Sequence, residues 1–237
     1  MYEYKGRIKN SARSTHALIV AYVALIIALM ALSVACRGQG SWNILNVKYT
    51  ANEKFSFFGE AQIRSLKFYD HFHYYEYKGG VNYKATSDLM LTIAAGHYDT
   101  YKEGGNFVSP KNSNEFRLWP QIILTEFVGK IKVEQRYRGE FRFTNDGYKN
   151  RIRYRLGLSY PFGKDKKGFQ PFQINVNDEL FFTNSEPYFQ RNRLWTSFNY
   201  RFSKQFYIQA GYIYQTDYKV NDETGRDFLQ IGFYLEL

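Results

Sequence analysis

The sequence predicts an all-β protein, an antiparallel transmembrane β-barrel of ten to twelve strands preceded by a helical signal segment. Two observations predict this fold class. Apolar and polar residues alternate with a period of two from residue 42 to the C-terminus, as in strands with two different faces. Tyr and Phe contribute 22 and 21 of the 237 residues, an aromatic content that suits the two interfacial girdles of a membrane barrel.

Residues 1–38 have the order of a secretory signal. Residues 1–15 are polar and basic, residues 17–35 are apolar except for Ser33, and small and polar residues follow. We expect cleavage after residue 35 or 38, so that 1–38 is the signal peptide and 39–237 the barrel domain. Two alternatives stay open: a retained hydrophobic helix, since the apolar run is long enough to span a bilayer, and lipidation of Cys36, which follows a degraded lipoprotein box.

The net charge is +10, from 32 Lys and Arg against 22 Asp and Glu. Residues 1–38 hold five of the basic residues and one of the acidic residues, which leaves a surplus of six for the mature chain. This surplus is spread along the sequence rather than collected in one run, so we expect no nucleic-acid partner. The single Cys excludes an internal disulfide bond.

The clearest strands have one apolar and one charged face, as in 131–143 and 151–160. With weaker segments there are eleven candidate strands: 42–49, 55–64, 75–84, 89–98, 115–127, 131–143, 151–160, 172–182, 193–202, 206–215 and 228–237. Single-chain bacterial barrels have even strand numbers, so we expect either that 42–50 is misassigned or that one strand is wrongly split. Asp178 falls on an apolar face, and we expect a β-bulge at 175–178 to turn it inward.

Short connections alternate with longer polar ones along the chain. The short turns are 50–54, 86–88, 129–130, 203–204 and the Gly/Lys-rich 163–171, and between them lie 65–73, 99–114, 144–149, 183–190 and 216–226. This alternation predicts short turns at one rim of the barrel and long loops at the other, outer rim. A soluble barrel or sandwich with its apolar face inward is the alternative, because it produces the same period.

The charged faces are expected to line the lumen. The inward basic residues are Arg64, Arg117, Arg136, Arg138, Arg142, Arg151, Arg153, Arg155, Arg193 and Arg201, with Lys78, Lys84 and Lys132, and the carboxylates are Glu60, Glu76, Glu115, Glu134, Glu140 and Glu179. Because Arg binds carboxylate or sulfate through two hydrogen bonds, the surplus favours a narrow passive channel for acidic small solutes or oligosaccharides. The alternative is a structural or loop-displaying barrel filled by paired charges.

The sequence contains few candidates for catalysis. His71 and His73 lie two residues apart but have no Cys beside them, and His97 lies near the outer end of a strand with no Ser nearby in sequence. We expect no enzymatic activity, no catalytic residue, no metal and no cofactor. A membrane-embedded lipid esterase or acyltransferase that uses His97 is the alternative.

Several short motifs recur in one known family. They are the early Trp42, Glu-x-x-x-Arg at 60–64, Asn-Arg-Ile-Arg at 150–153, Asn-Asp-Glu-Leu-Phe-Phe at 177–182 and Arg-Asn-Arg at 191–193. In these the mature chain resembles the bacterial outer-membrane barrel family catalogued as domain of unknown function 2490. The C-terminus resembles the signal for the barrel-assembly machinery, with Gln230, Gly232, Leu235 and Leu237 at its positions. The resemblance implies export to the outer membrane of a Gram-negative bacterium, contact with its lipid and assembly by that machinery, but no activity.

Overall fold

The structure is a computed structural model that describes residues 39–163 and 170–237. The predicted signal peptide and part of the 163–171 turn lie outside the described residues. The described chain forms eleven strands: β1 Gly40–Thr50, β2 Phe55–Lys67, β3 Asp70–Lys84, β4 Leu89–Lys102, β5 Val108–Val128, β6 Ile131–Thr144, β7 Gly147–Phe162, β8 Phe172–Thr183, β9 Phe189–Arg201, β10 Phe206–Lys219 and β11 Asp222–Glu236. Among these residues there is no helix with the length and apolar character needed to cross a membrane.

The eleven strands form one closed barrel, in which each strand pairs antiparallel with the next. The predicted barrel is therefore confirmed, but the expected even strand number is wrong, and 42–50 lies in a genuine strand. Ten reversals of direction leave β1 and β11 running the same way, and a parallel ladder from Gly40 and Phe228 to Lys48 and Glu236 closes the barrel. A parallel ladder satisfies the backbone groups of both edges, so closure needs no twelfth strand.

The two faces of the sheet differ in polarity. On β6, Tyr137 and Phe141 are 43% and 41% exposed, whereas Arg136 and Glu140 are only 9% and 2% exposed. Side chains of a strand alternate between the faces, so the apolar positions point outward and the charged positions point into the lumen. The soluble-barrel alternative requires the opposite orientation.

At the rim where the sequence predicts long loops, the strands of the hairpins are longer and the loops are shorter than expected. β2 and β3 are joined by residues 68–69, β6 and β7 by 145–146, and β10 and β11 by 220–221. The connections after β4 and β8 have five residues each, 103–107 and 184–188. The prediction of long loops is therefore wrong over most of these segments. Polar sequences continue the ladder because its hydrogen bonds belong to the backbone and need no apolar side chain.

The bulge predicted around Asp178 is absent from this part of the described sheet. The register runs without a shift from Leu156 through Asp178 to Leu194, and the β8–β9 register shifts only between Phe181 and Phe182. Asp178 therefore stays on the outer face. Its Oδ1 accepts a hydrogen bond of 2.6 Å from Asn192 Nδ2, which gives the carboxylate a polar partner there.

The parallel closure can be tested with paired cysteines in a Cys36→Ser background. Leu45 and Phe233 are partners in the β1–β11 ladder and both are exposed. We expect Leu45→Cys with Phe233→Cys to form a disulfide on mild oxidation, seen as a shifted band on a non-reducing gel, because ladder partners lie about 5 Å apart.

The control for this experiment moves one cysteine two residues along β1. Val47→Cys with Phe233→Cys separates the two Cα atoms by about 8 Å, which is beyond the reach of a disulfide. Efficient cross-linking of this control pair would contradict the closure. Failure of both pairs to cross-link would contradict it as well.

Candidate functional site

The barrel encloses a cavity of about 830 Å³ to which all eleven strands contribute. Of the arginines expected inside, nine line it: Arg64, Arg117, Arg136, Arg138, Arg142, Arg151, Arg153, Arg155 and Arg193. Arg201 instead lies at the rim formed by the short turns, where Nη1 donates to Lys204 O at 3.0 Å and to Glu236 at 2.9 Å. Of the other expected cations, Lys78 and Lys132 line the cavity.

The carboxylates that line the cavity are half as many as the cations. Glu60, Glu76, Glu115, Glu134 and Glu179 line it, together with Glu103 and Asp217, which the sequence did not single out. Fourteen Lys and Arg side chains face these seven acids. Glu140 is also inside the barrel, but its side chain is fully buried behind arginines. The lumen therefore carries an excess of positive charge.

Two buried carboxylates hold the centre of the lumen. Glu140 lies 2.6 Å from Arg151 Nη2 and 2.6 Å from Arg153 Nη1. Glu179 contacts Arg153 at 2.7 Å and Arg193 at 3.4 Å, and it also binds Arg136. We call these six residues the central network. Each carboxylate is shared by several guanidinium groups, because there are too few acids for separate pairs.

The six inward arginines of β6 and β7 are paired with carboxylates from other strands as well as from β6. Glu134 and Glu140 lie on β6 itself, and Arg155 pairs with Glu134. Glu179 of β8 and Glu115 of β5, which binds Arg142, supply the rest. Even so, Arg136 lies directly opposite Arg155, and Arg138 directly opposite Arg153. Like charges at opposed positions are destabilising, so these rungs depend on the shared carboxylates.

One row of side chains around the wall concentrates the positive charge. Across β6–β11, successive ladder partners read Arg136, Arg155, Glu179, Arg193, Gln215 and Arg226. We call this set the arginine row. It has four guanidinium groups and one carboxylate. Among the described residues, only Arg155 and Arg226 of the row have further acids outside it, Glu134 and Glu103.

Aromatic rings fix the orientation of the guanidinium groups. The Cζ of Arg153 lies 4.5 Å from the ring centre of Phe181, and that of Arg193 lies 5.0 Å from it. Arg64 stacks at 3.3 Å over Trp42. Contacts of this kind attract a cation and hold its plane. The predicted interfacial girdles place aromatic side chains mainly on the outer face and do not include these rings, although the period of two places both Trp42 and Phe181 at inward positions.

Neutral polar side chains form a second part of the lumen, which the sequence analysis does not predict. They lie between the arginine row and the short turns on β8–β11, and we call them the amide wall: Gln173, Asn175, Asn177, Ser197, Asn199, Gln209 and Gln230. Asn175 Nδ2 donates to Ser197 Oγ at 3.1 Å and Gln209 Nε2 donates to the same oxygen at 2.6 Å. On β8–β11 the cavity wall is thus charged at the arginine row and neutral between that row and the short turns.

Apart from Gln230, the remaining candidates lie away from the cavity or at its edges. Gln230 of the expected assembly signal faces the lumen, and Leu237 closes the seam, where its N–H donates to Lys48 O at 2.7 Å. Leu235 and Gly232 lie in β11. His97 is on the outer face, stacked on Tyr77 with its Nε2 3.4 Å from Asp99 Oδ2.

Comparison with known proteins gives a family but no activity. The family described as "Protein of unknown function (DUF2490)" matches residues 39–226, from the start of the described barrel into β11. This match confirms the resemblance drawn from the motifs. No curated protein matches the chain.

Because some carboxylates are shared by several arginines, we expect two Glu→Gln substitutions to lower the free energy of unfolding by unequal amounts. Glu179→Gln leaves Arg136, Arg153 and Arg193 without their common anion, and we expect it to lower the free energy of unfolding by about 3–5 kcal/mol. Glu236→Gln removes only the rim pair with Arg201 and should cost about 1 kcal/mol or less. Urea unfolding in detergent, followed by Trp fluorescence, measures both. Equal losses would contradict the central network.

Proposed function

The chain belongs to the DUF2490 family, whose description assigns no activity, and from the charge of its lumen we propose that it is an outer-membrane β-barrel that conducts small anionic solutes. The observation that carries the proposal is the ratio of fourteen basic to seven acidic side chains around the cavity. A cavity lined by one sign of charge concentrates ions of the opposite sign. The proposal assigns no catalytic step and no cofactor.

The outer surface supports a location in lipid. Leu156, Leu158, Ile174, Val176 and Leu194 are all exposed on three neighbouring strands. Exposed apolar side chains on this scale would be costly in water but are required where strands face hydrocarbon. The strands have 11–21 residues, enough for a tilted strand to cross a bilayer. The export signal expected in residues 1–38 and the assembly signal expected at residues 230–237 support the outer membrane of a Gram-negative bacterium as the proposed location.

The arginine row supports a preference for anions over cations. Its four guanidinium groups repel one another across the wall, and Glu179 is shared among Arg136, Arg153 and Arg193. An anion that enters the lumen supplies the charge that this row lacks. Because aromatic rings and carboxylates already fix the guanidinium planes, the anion does not have to order long flexible side chains when it binds.

A filled structural barrel is the second candidate, and a specific observation favours it. The central network, with Trp119 and Phe181 buried at 0% and 1% exposure, occupies much of the space that a wide pore would need. In that case the surplus charge is neutralised by water and counterions, and the protein acts as a scaffold for its long hairpins. Conductance separates the two candidates.

The proposal is tested by recording from purified protein in planar bilayers. We expect conductance with a higher permeability for chloride than for potassium, because a cationic wall excludes cations. Arg155→Gln combined with Arg226→Gln removes two cations of the arginine row and should bring the permeability ratio close to one.

The matched control is Arg201→Gln, which removes an arginine that lies at the rim, outside the set of cavity-lining residues. It should leave the selectivity unchanged. A silent barrel would contradict the conduit and favour the scaffold. Recovery of the protein in soluble form from the periplasm, without detergent, would contradict the proposed location.

A further inference from the structure

The boundary between the two parts of the lumen has the chemistry of a binding site for one class of solute. Trp195 lies on β9 between the arginine row and the amide wall and lines the cavity. Its ladder partner on β8 is Asn177, and Arg193 lies two residues away on its own strand. The Cζ of Arg155 is 5.8 Å from the centre of its ring. An aromatic face, two guanidinium groups and an amide therefore meet at one place.

The amide wall continues this place toward the short turns. A chain of hydrogen bonds runs from Tyr234 OH to Gln209 Oε1 at 2.7 Å, and from Gln209 and Asn175 to the hydroxyl of Ser197. Gln230 is only 6% exposed and its Oε1 has no hydrogen-bond partner among the described residues. The Gln230 side chain therefore adds a further uncharged amide to this part of the wall.

From this arrangement we infer that the lumen holds a site for a sugar acid, a solute that combines a carboxylate with several hydroxyl groups on a six-membered ring. The inference deepens the proposed conduit and depends on it. The carboxylate binds Arg155 and Arg193, the apolar face of the ring packs on Trp195, and the hydroxyl groups exchange hydrogen bonds with Asn177 and the amide wall.

Each part of the site matches one property of this class of solute. Guanidinium groups bind carboxylates through paired, charge-assisted hydrogen bonds. Amide side chains both donate and accept, as hydroxyl groups do, whereas an inorganic anion only accepts. The uncharged amide wall therefore contributes little to the affinity for sulfate or chloride. It adds affinity and orientation for a polyhydroxylated anion, with an aromatic ring supplying the apolar contact.

The experiment compares three probes by calorimetry on the full-length protein in detergent. Galacturonate and galactose differ only in the carboxylate, and sulfate supplies charge without hydroxyl groups. We expect galacturonate to bind about tenfold more tightly than either galactose or sulfate. Trp195→Leu should lower the affinity for galacturonate to the level of that for sulfate and leave sulfate binding unchanged. Trp195→Phe, which keeps an aromatic ring, should retain most of the affinity for galacturonate.

Two further variants guard against a general loss of structure. Asn177→Leu removes one amide of the wall and should weaken galacturonate binding without changing sulfate binding. The control Gln135→Leu removes an amide on the outer face, where Gln135 Oε1 accepts a hydrogen bond of 3.1 Å from Tyr137, and should change neither.

The outcomes separate this inference from the proposed function. Equal affinity for galacturonate and sulfate, with anion-selective conductance retained, would overturn the sugar-acid site and leave the conduit. Equal loss of both ligands in Trp195→Leu and Asn177→Leu would overturn it as well. Failure of every anion to bind or permeate would overturn the conduit and the site together.

Discussion

The sharing of a few buried carboxylates among many guanidinium groups is the interaction on which the lumen depends. Glu179 of β8 joins Arg136 of β6, Arg153 of β7 and Arg193 of β9, so one side chain ties four strands together across the inside of the wall. A buried cation that loses its partner is far more costly than a surface one. The network therefore sets the shape of the interior. It also leaves a surplus of positive charge in the lumen.

The closure of the barrel is linked to the same interior. β1 and β11 meet in parallel, and inside the seam Trp42 of β1 packs edge-to-face on Phe228 of β11, with 5.6 Å between ring centres and an angle of 86°. Arg193 lies over the ring of Trp42 at 4.7 Å. The seam is thus held by backbone hydrogen bonds on the wall and by an aromatic pair that contacts a member of the arginine row. An odd strand number is compatible with a stable barrel because both edges are satisfied.

The faces of the strands could be predicted from the sequence because side-chain direction is a local property with a period of two. The same period places Arg136, Arg153 and Glu179 inside without any knowledge of their neighbours. Three features could not be predicted in this way. The parallel seam depends on the contact between the first and last strands, the sharing of Glu179 depends on register across four strands, and the short loops depend on ladders that continue through polar residues. The amide wall contains no charged residue that would indicate it in the sequence. It is recognised only when the strands are aligned in their ladder register.

The central claim is that the interior of this barrel is open to anions in preference to cations. The most direct measurement is the rate at which charged thiol reagents reach Asn175→Cys, on the amide wall, in a Cys36→Ser background. A sulfonate-bearing and an ammonium-bearing methanethiosulfonate are compared, each normalised to Ser203→Cys in an exposed turn. The account predicts a normalised rate about tenfold higher for the anionic reagent. Equal rates, a preference for the cation or no reaction at Asn175→Cys would contradict it.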